Sequence, residues 1–415
     1  MGQKNPLFLG MRFSLVLLLW LCPLLLLAQS GSVTGKVARM DTKTILAKAS
    51  VYLSNSSYGT ISNDDGTFTL NGVKPGQYQL VVSMVGFEDF TQTIMVGKEA
   101  IKISAELLPK VTQLHEVVIT TPANWKKNYD MFVKEFLGES ENAKKCKVLN
   151  PRSVSLVYHK AKETLEGWSD EFIEIENRAL GYKVKFMLKS FSCDNINNIV
   201  GWEGNYVFTE LPGSAAQKKA WEAKRNDIYY GSSQHFFRSL QNARINDEGF
   251  LVMLLQRQPN PERPPQELIK KKLDFYQRQP LTSRAMVDSA KHWQDMYNLP
   301  KYKETLVRSP LKETDFARAT EQPGIFAITF PHYLYVMYTK KREDYFFKDI
   351  YHPLDMPNYQ TSVITLYKPY AFFDANGSII SSQSTLIEGT WSKSKVAELL
   401  PVDYVPGDMV IKDDL

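Results

Sequence analysis

Between residues 31 and 108 apolar side chains recur at every second position, the repeat of a pleated strand with one face buried and not that of a helix. Val33 and Val37 alternate with Thr34 and Lys36; Ala49, Val51 and Leu53 repeat the pattern, followed by Phe68 and Leu70, then Tyr78, Leu80 and Val82. Ile101, Ile103 and Leu107 close the series against Lys102, Ser104 and Glu106. Clusters of Gly, Asn and Asp interrupt the strands every eight to twelve residues or so, the spacing of a sandwich. About seven short strands in roughly eighty residues predict a compact β-sandwich.

The turn ISNDDGTFTL, residues 61 to 70, tests whether this unit holds a metal. A calcium loop needs oxygen ligands at positions 1, 3 and 5, glycine at 6 and a bidentate Glu at 12. With Gly66 at position 6, Asn63 and Asp65 fall correctly, but position 1 is Ile61 and position 12 is Gly72. Both ends of the coordination sphere fail, so no metal is expected. A hairpin turn remains, with Asn, Asp and Gly tolerating positive φ.

The run TISNDDGTFTLNGVKPGQYQLVVSMVGF, preceded by SVTGKV and ASVYLSN, resembles the carboxypeptidase regulatory-like module, a transthyretin-type (Ig-like) sandwich. The resemblance covers about a fifth of the chain. It implies an exported protein of a Gram-negative envelope, since such modules lead many of them, TonB-dependent receptors included. LHEVVITTP, further on, is similar to the segment by which those receptors leave the module. A receptor barrel needs many amphipathic strands of about ten residues, and the rest of this chain does not supply them.

The first thirty residues read as an export signal: Lys4 and Arg12 precede an apolar run from Phe13 to Ala28 that ends in AQSG. That run is shorter than the roughly 20 residues of a spanning helix. Cys22, inside it, lacks the small residues that precede a lipid-modified cysteine. Removing residues 1–30 takes two of the 50 Lys and Arg and none of the 45 Asp and Glu, leaving a net charge of +3. A charge so mild and so spread out argues against a nucleic-acid partner. No later segment is long and apolar enough to span a bilayer as a helix. The expected location is therefore exported, in the periplasm or at the outer membrane. There Cys146 and Cys193 either pair as a disulfide, which would stabilise the fold by about 4 kcal/mol, or remain two buried thiols.

The segment from about Asn124 to Leu415, after a linker over 109–123, has an α+β pattern. Tyr129, Phe132, Val133 and Phe136 predict a helix over 125–137. Strands are expected at 153–159, 171–176, 182–192, 204–210, 324–330, 332–339, 361–367 and 369–373. Helices are expected at 214–228, 233–244 and 286–297. Pro259, Pro261, Pro264 and Pro265 mark a surface loop, and Asn376-Gly377 a two-residue hairpin turn. NAKKCKVLNP, IENRALGYKV and YYGSSQHFFRSL are similar to exported proteins in which this sandwich precedes a domain of unassigned function. The fold class expected is mainly β: a seven-stranded sandwich followed by an α+β domain with a large antiparallel sheet and several helices.

Catalytic patterns are missing. No His opens an HExxH or HxxE zinc motif, no Gly-x-Ser-x-Gly elbow occurs, and no phosphate-cradling glycine loop is present; no cofactor is expected. Glu174 and Glu176 share a strand face about 7 Å apart, but carboxylates on one strand normally face solvent together. In GSSQHFFRSL, Ser232, His235 and Arg238 gather at a helix N-terminus, where an anion would be favoured. In FAITFPHYLYVMYT, Tyr333 and Tyr335 share a strand face that, if exposed, would stack on sugars or partner proteins. The leading expectation is a non-enzymatic envelope protein that binds a protein or glycan partner. The alternatives are a hydrolase acting on glycans or peptides and an accessory to TonB-dependent uptake or outer-membrane assembly.

Overall fold

The computed structural model describes residues 30–110, 122–280, 282–343, 350–380 and 383–409. The export segment up to residue 29 and most of LHEVVITTP lie outside these residues. The chain divides into two compact units, residues 1–53 with 58–110 and residues 54–57 with 111–415.

The first unit contains seven strands: β1 (Gly31–Arg39), β2 (Ser50–Leu53), β3 (Gly59–Ile61), β4 (Thr67–Val73), β5 (Gly76–Ser83), β6 (Phe90–Val96) and β7 (Ile101–Leu107). They form a three-stranded sheet in the order β4-β1-β7 and a four-stranded sheet in the order β3-β2-β5-β6. Pairing is antiparallel except between β1 and β7. The alternating residues do supply the core: Val33, Val37, Val51, Leu53, Phe68, Leu70, Leu80 and Val82 are all buried. Alternation fails on β2 and β5, the central strands of the larger sheet. Tyr52 and Val81 are Cα partners and are as inaccessible as their neighbours Val51 and Val82.

The ISNDDG turn differs from the hairpin expected. β3 and β4 belong to different sheets, so the turn carries the chain from one sheet to the other. Asn63 N–H donates to Thr67 O at 2.8 Å, Gly66 N–H to Asn63 O at 2.9 Å, and Asp65 accepts from the Thr67 amide. Gly66 has φ +75°, and a Cβ there would lie 2.8 Å from the Val37 carbonyl oxygen.

In the second unit a six-stranded antiparallel sheet comes first. It is built from β8 (Cys146–Val148), β9 (Val154–His159), β10 (Thr164–Ser169), β11 (Ile173–Asn177), β12 (Tyr182–Asp194) and β13 (Ile199–Glu210). The 13-residue β12 shares one edge between β11 and β10 and pairs along the other with β13. Helix α1 (Pro122–Leu137) lays Phe132 and Phe136 on this sheet, 5.0 Å from Phe191 and 5.1 Å from Phe186, ring centre to ring centre.

Cys146 and Cys193 are free thiols in this sheet, not a disulfide. The register explains why. Cys146 is opposite Asn177, which is opposite Tyr182, and Cys193 lies eleven residues further along β12. At strand rise that is about 36 Å, far beyond the ~7 Å Cα separation a disulfide tolerates. Burial pushes the Cys146 thiol up to about 12 and that of Cys193 up to about 11, which makes both poor nucleophiles.

Helices α2 (Ala215–Tyr229) and α3 (Ser233–Gln241) follow. The remaining strands are β14 (Phe250–Pro259), β15 (Tyr302–Val307), β16 (Ala317–Ala319), β17 (Ile325–Ile328), β18 (Tyr333–Arg342), β19 (Tyr359–Leu366), β20 (Ala371–Asp374) and β21 (Thr385–Gly389). They form a five-stranded sheet in the order β15-β14-β18-β19-β21 and a three-stranded sheet in the order β16-β17-β20. Between β14 and β15 the chain forms a helical hairpin, α4 (Gln266–Arg278) and α5 (Arg284–Asn298). The expected proline loop is thus confined to the few residues between the end of β14 and the start of α4. Asn376-Gly377 does reverse the chain, through three residues instead of two: Asp374 N–H donates to Ser378 O, and Gly377, with φ +80°, occupies the last loop position.

Both faces of the five-stranded sheet are apolar. Phe236, Phe237 and Leu240 of α3 cover Phe250, Val252, Leu334, Val336, Tyr338 and Ile364. The opposite face carries Met253, Leu255, Leu306, Tyr335, Met337 and Val363.

Candidate functional site

The expected anion site at Ser232, His235 and Arg238 is a structural joint. Ser232 caps α3, its hydroxyl accepting from the His235 amide at 3.1 Å. The His235 ring points inward among Tyr229, Tyr230, Phe250 and Tyr338, with ring centres 4.9 to 5.7 Å away. Its Nδ1 accepts from the Gly231 amide at 3.1 Å, so the proton sits on Nε2 and faces Glu248 Oε2 at 3.4 Å. Burial lowers its pKa to about 4, although Glu248 pulls the other way. At neutral pH the imidazole is therefore uncharged.

Arg238 donates from Nε to Asn376 O at 3.0 Å, from Nη1 to Tyr404 O at 3.1 Å, and from Nη2 to Val402 O. Tyr230 Oη donates to Gly407 O at 2.7 Å, and Asn226 Oδ1 accepts from Tyr404 Oη and from the Gly407 amide. Arg238 thus fastens Val402 and Tyr404 to α3 while Asn226 and Tyr230 fasten Tyr404 and Gly407 to the C-terminal end of α2, and the guanidinium donates to carbonyls and not to an anion.

The aromatic row is corrected in part. Tyr335 is fully buried and its hydroxyl donates to Tyr351 O at 2.7 Å, so it offers no stacking surface. Tyr333, on the same face, is only partly buried and lies against an arginine instead. Glu174 and Glu176 pair with Lys183 and Arg178, as a salt-bridged surface does.

That arginine, Arg257, was missed in the sequence. It lies on β14 in the inward series Met253, Leu255, Arg257, where a cation is out of place. Only 3% of its side chain is exposed. Nε donates to Oε1 of Glu304, its direct partner on β15, at 2.6 Å, while Nη1 donates to Oε2 of Glu388 on β21. Tyr333 and Tyr302 lie beside the guanidinium, 4.8 and 5.3 Å from ring centre to Cζ. Tyr367, one residue beyond the end of β19, is 58% exposed.

Two features separate this cluster from an ordinary buried ion pair. Nη2 of Arg257 is buried with no hydrogen-bond partner among the described residues. Each carboxylate spends one oxygen on Arg257, and no bond to Glu304 Oε2 or Glu388 Oε1 is present among the described residues. The guanidinium shared by both carboxylates thus keeps one buried donor unpaired, and Tyr333 and Tyr302 lie beside it. Burial raises the Glu304 carboxyl above the usual range, against the opposing pull of Arg257. The cluster carries one cation and two carboxylates, so it repels anions.

Residues 33–119 match the family model of the CarboxypepD_reg-like domain, and the first unit is a sandwich of that kind. No curated protein shows a significant sequence match to the chain. Among solved structures, the chain is similar to the group B streptococcus pilus 2b backbone protein at 19% identity, over 20% of this chain and 42% of that one, with a TM-score of 0.18. A cohesin–X-dockerin complex from Acetivibrio cellulolyticus matches at 16% identity over 19% and 56%, TM-score 0.16. A protein of unknown function from Bacteroides fragilis matches at 11% identity over 87% and 93%, TM-score 0.16. The chain spans less than two thirds of the first two.

Proposed function

We propose that this is an exported cell-envelope protein that binds its ligand without transforming it, and that the ligand is a neutral glycan seated over Arg257, Glu304 and Glu388. The unpartnered Nη2 of Arg257, on a guanidinium shared by two carboxylates, is the observation that carries this reading. A sugar's adjacent hydroxyls donate and accept at once, which suits an unpaired donor on a guanidinium so shared, and Tyr302 offers a ring face for stacking. Leaving Nη2 unpaired costs about 1–3 kcal/mol, which a hydroxyl would recover once the half-exposed Tyr302 ring turns aside. The signal-like N-terminus and the regulatory-like sandwich support the envelope location.

Titration calorimetry of the purified protein against soluble fragments of envelope glycans tests this. Binding that weakens at least about tenfold in Glu388→Gln and Tyr302→Ala, with the unfolding transition retained, is expected. Absence of glycan binding, or selective binding of amines instead, overturns it.

A hydrolase is the second reading, favoured by one observation: Glu304 and Glu388 reach the same guanidinium from different strands, and burial keeps the Glu304 proton on to higher pH. Turnover of the bound glycan, abolished by Glu304→Gln, would establish it in place of the first.

A further inference from the structure

The α4–α5 hairpin stands on the β14–β15 ladder just beyond the last pair, Pro259 and Tyr302. Its base is fastened: Arg263 Nη1 donates to the carbonyls of Met296 at 2.9 Å and Tyr297 at 2.7 Å, Asn260 Nδ2 donates to Pro300 O at 3.0 Å, and Lys270 pairs with Glu163. Beyond the base this fastening stops. Among the described residues, no side chain from Lys271 to Asp295 makes a hydrogen bond or ion pair to the chain outside the hairpin. Helix α5 buries none of its fifteen residues, and α4 buries only Ile269. Isolated helices of about 12–15 residues are marginal in water, so the pair lacks the cover that normally stabilises such elements.

What the hairpin exposes has a definite chemistry. Phe275 is 52% exposed, Tyr297 47%, Val287 46% and Leu268 39%. On α4, Leu268, Lys271, Phe275 and Arg278 follow one another at helical spacing; on α5, Arg284, Val287 and Lys291 do the same. Apolar side chains therefore alternate with cations along each exposed face. From 271 to 291 five Lys and Arg meet only Asp274 and Asp288, an excess of three positive charges. A protein groove selects an unbroken apolar stripe. Cations interleaved with aromatic and aliphatic side chains instead match the boundary between acyl chains and anionic headgroups.

We propose that the α4–α5 hairpin docks on an anionic lipid surface, with Phe275 and Val287 entering the acyl boundary and Lys271, Arg278, Arg284 and Lys291 meeting the headgroups. No helix among the described residues is long and apolar enough to cross a membrane, so this is attachment to one face. It stands independently of what the Arg257 cluster binds.

Co-sedimentation of the purified protein with vesicles tests it. Binding to phosphatidylglycerol–phosphatidylcholine vesicles, lost with phosphatidylcholine alone and weakened by high salt, is expected. Phe275→Ser with Val287→Ser, and separately Arg278→Glu with Arg284→Glu, are each expected to lower the binding at least about tenfold. These side chains are exposed, so the unfolding transition should match the parent. Equal binding by the parent and either double variant, or no binding to anionic vesicles, overturns the proposal.

Discussion

Arg257 and Glu304 stand directly opposite each other on β14 and β15, and the guanidinium reaches the carboxylate across 2.6 Å with 3% of one side chain and 15% of the other exposed. Directly opposed residues on one sheet face are the closest cross-strand neighbours, about 5 Å apart at Cβ. The pair is therefore set by backbone register and not by a chance meeting of two flexible side chains.

Arg257→Ala should lower stability by about 3–5 kcal/mol, because it leaves two carboxylates without their cation in a low-dielectric site. Replacing all three groups together, as Arg257→Met, Glu304→Gln and Glu388→Gln, should restore most of that loss. Urea unfolding midpoints measure both; a triple variant as unstable as the single one would refute the electrostatic origin.

Gly66→Val should destabilise the first unit by about 2 kcal/mol or more. The residue has φ +75°, and its side chain would meet Ile45 and the Val37 carbonyl. A chelator should leave the melting of the parent protein unchanged, because hydrogen bonds among Asn63, Asp65, Gly66 and Thr67 hold the turn.

His235 should make the second unit acid-sensitive in a defined window. Its pKa is about 4 in the folded protein against about 6.5 when unfolded. Between these values the unfolded chain takes up a proton that the folded one refuses, so stability falls as pH drops from about 6.5 toward 4 and is unaffected by this group above that window. The loss should reach about 3 kcal/mol by pH 4. Denaturation at stepped pH should show the slope in the parent and a shallower one in His235→Gln.

Half-buried Cys146 and buried Cys193, both with raised pKa values, should alkylate slowly in the folded protein and readily after unfolding. Dithiothreitol should leave the thermal midpoint unchanged. A shift on reduction would show a bridge after all.

Strands of the six-stranded sheet were legible because one face of each is apolar and the other polar, whereas β18 and β19 were legible only as apolar runs of strand length. β9, β11, β12, β13, β18 and β19 all fall within a few residues of the expected spans. β14 was not anticipated: LVMLL is apolar at consecutive positions because α3 covers one face and the Tyr335–Met253 layer the other, which erases the alternation. The same burial on both faces removed Tyr335 from the surface. α4 was hidden by the prolines before it and by its own run of three lysines. The site itself was illegible for a different reason. Arg257, Glu304 and Glu388 are brought together by strand order, and spacing along the chain carries no record that β21 comes near β14. The sole clue was a charged residue in phase with buried ones.

The fastening of residues 402–407 by Arg238, Tyr230 and Asn226 bears on how the second unit is made. These bonds join positions 164 to 181 residues apart in the chain. Contacts of such span form late and slow folding. A chain delivered N-terminus first holds α2 and α3 with unmet polar groups until Val402 to Gly407 arrive. During synthesis this unit therefore stays half assembled, its sheet faces uncovered, until nearly the whole of it has emerged.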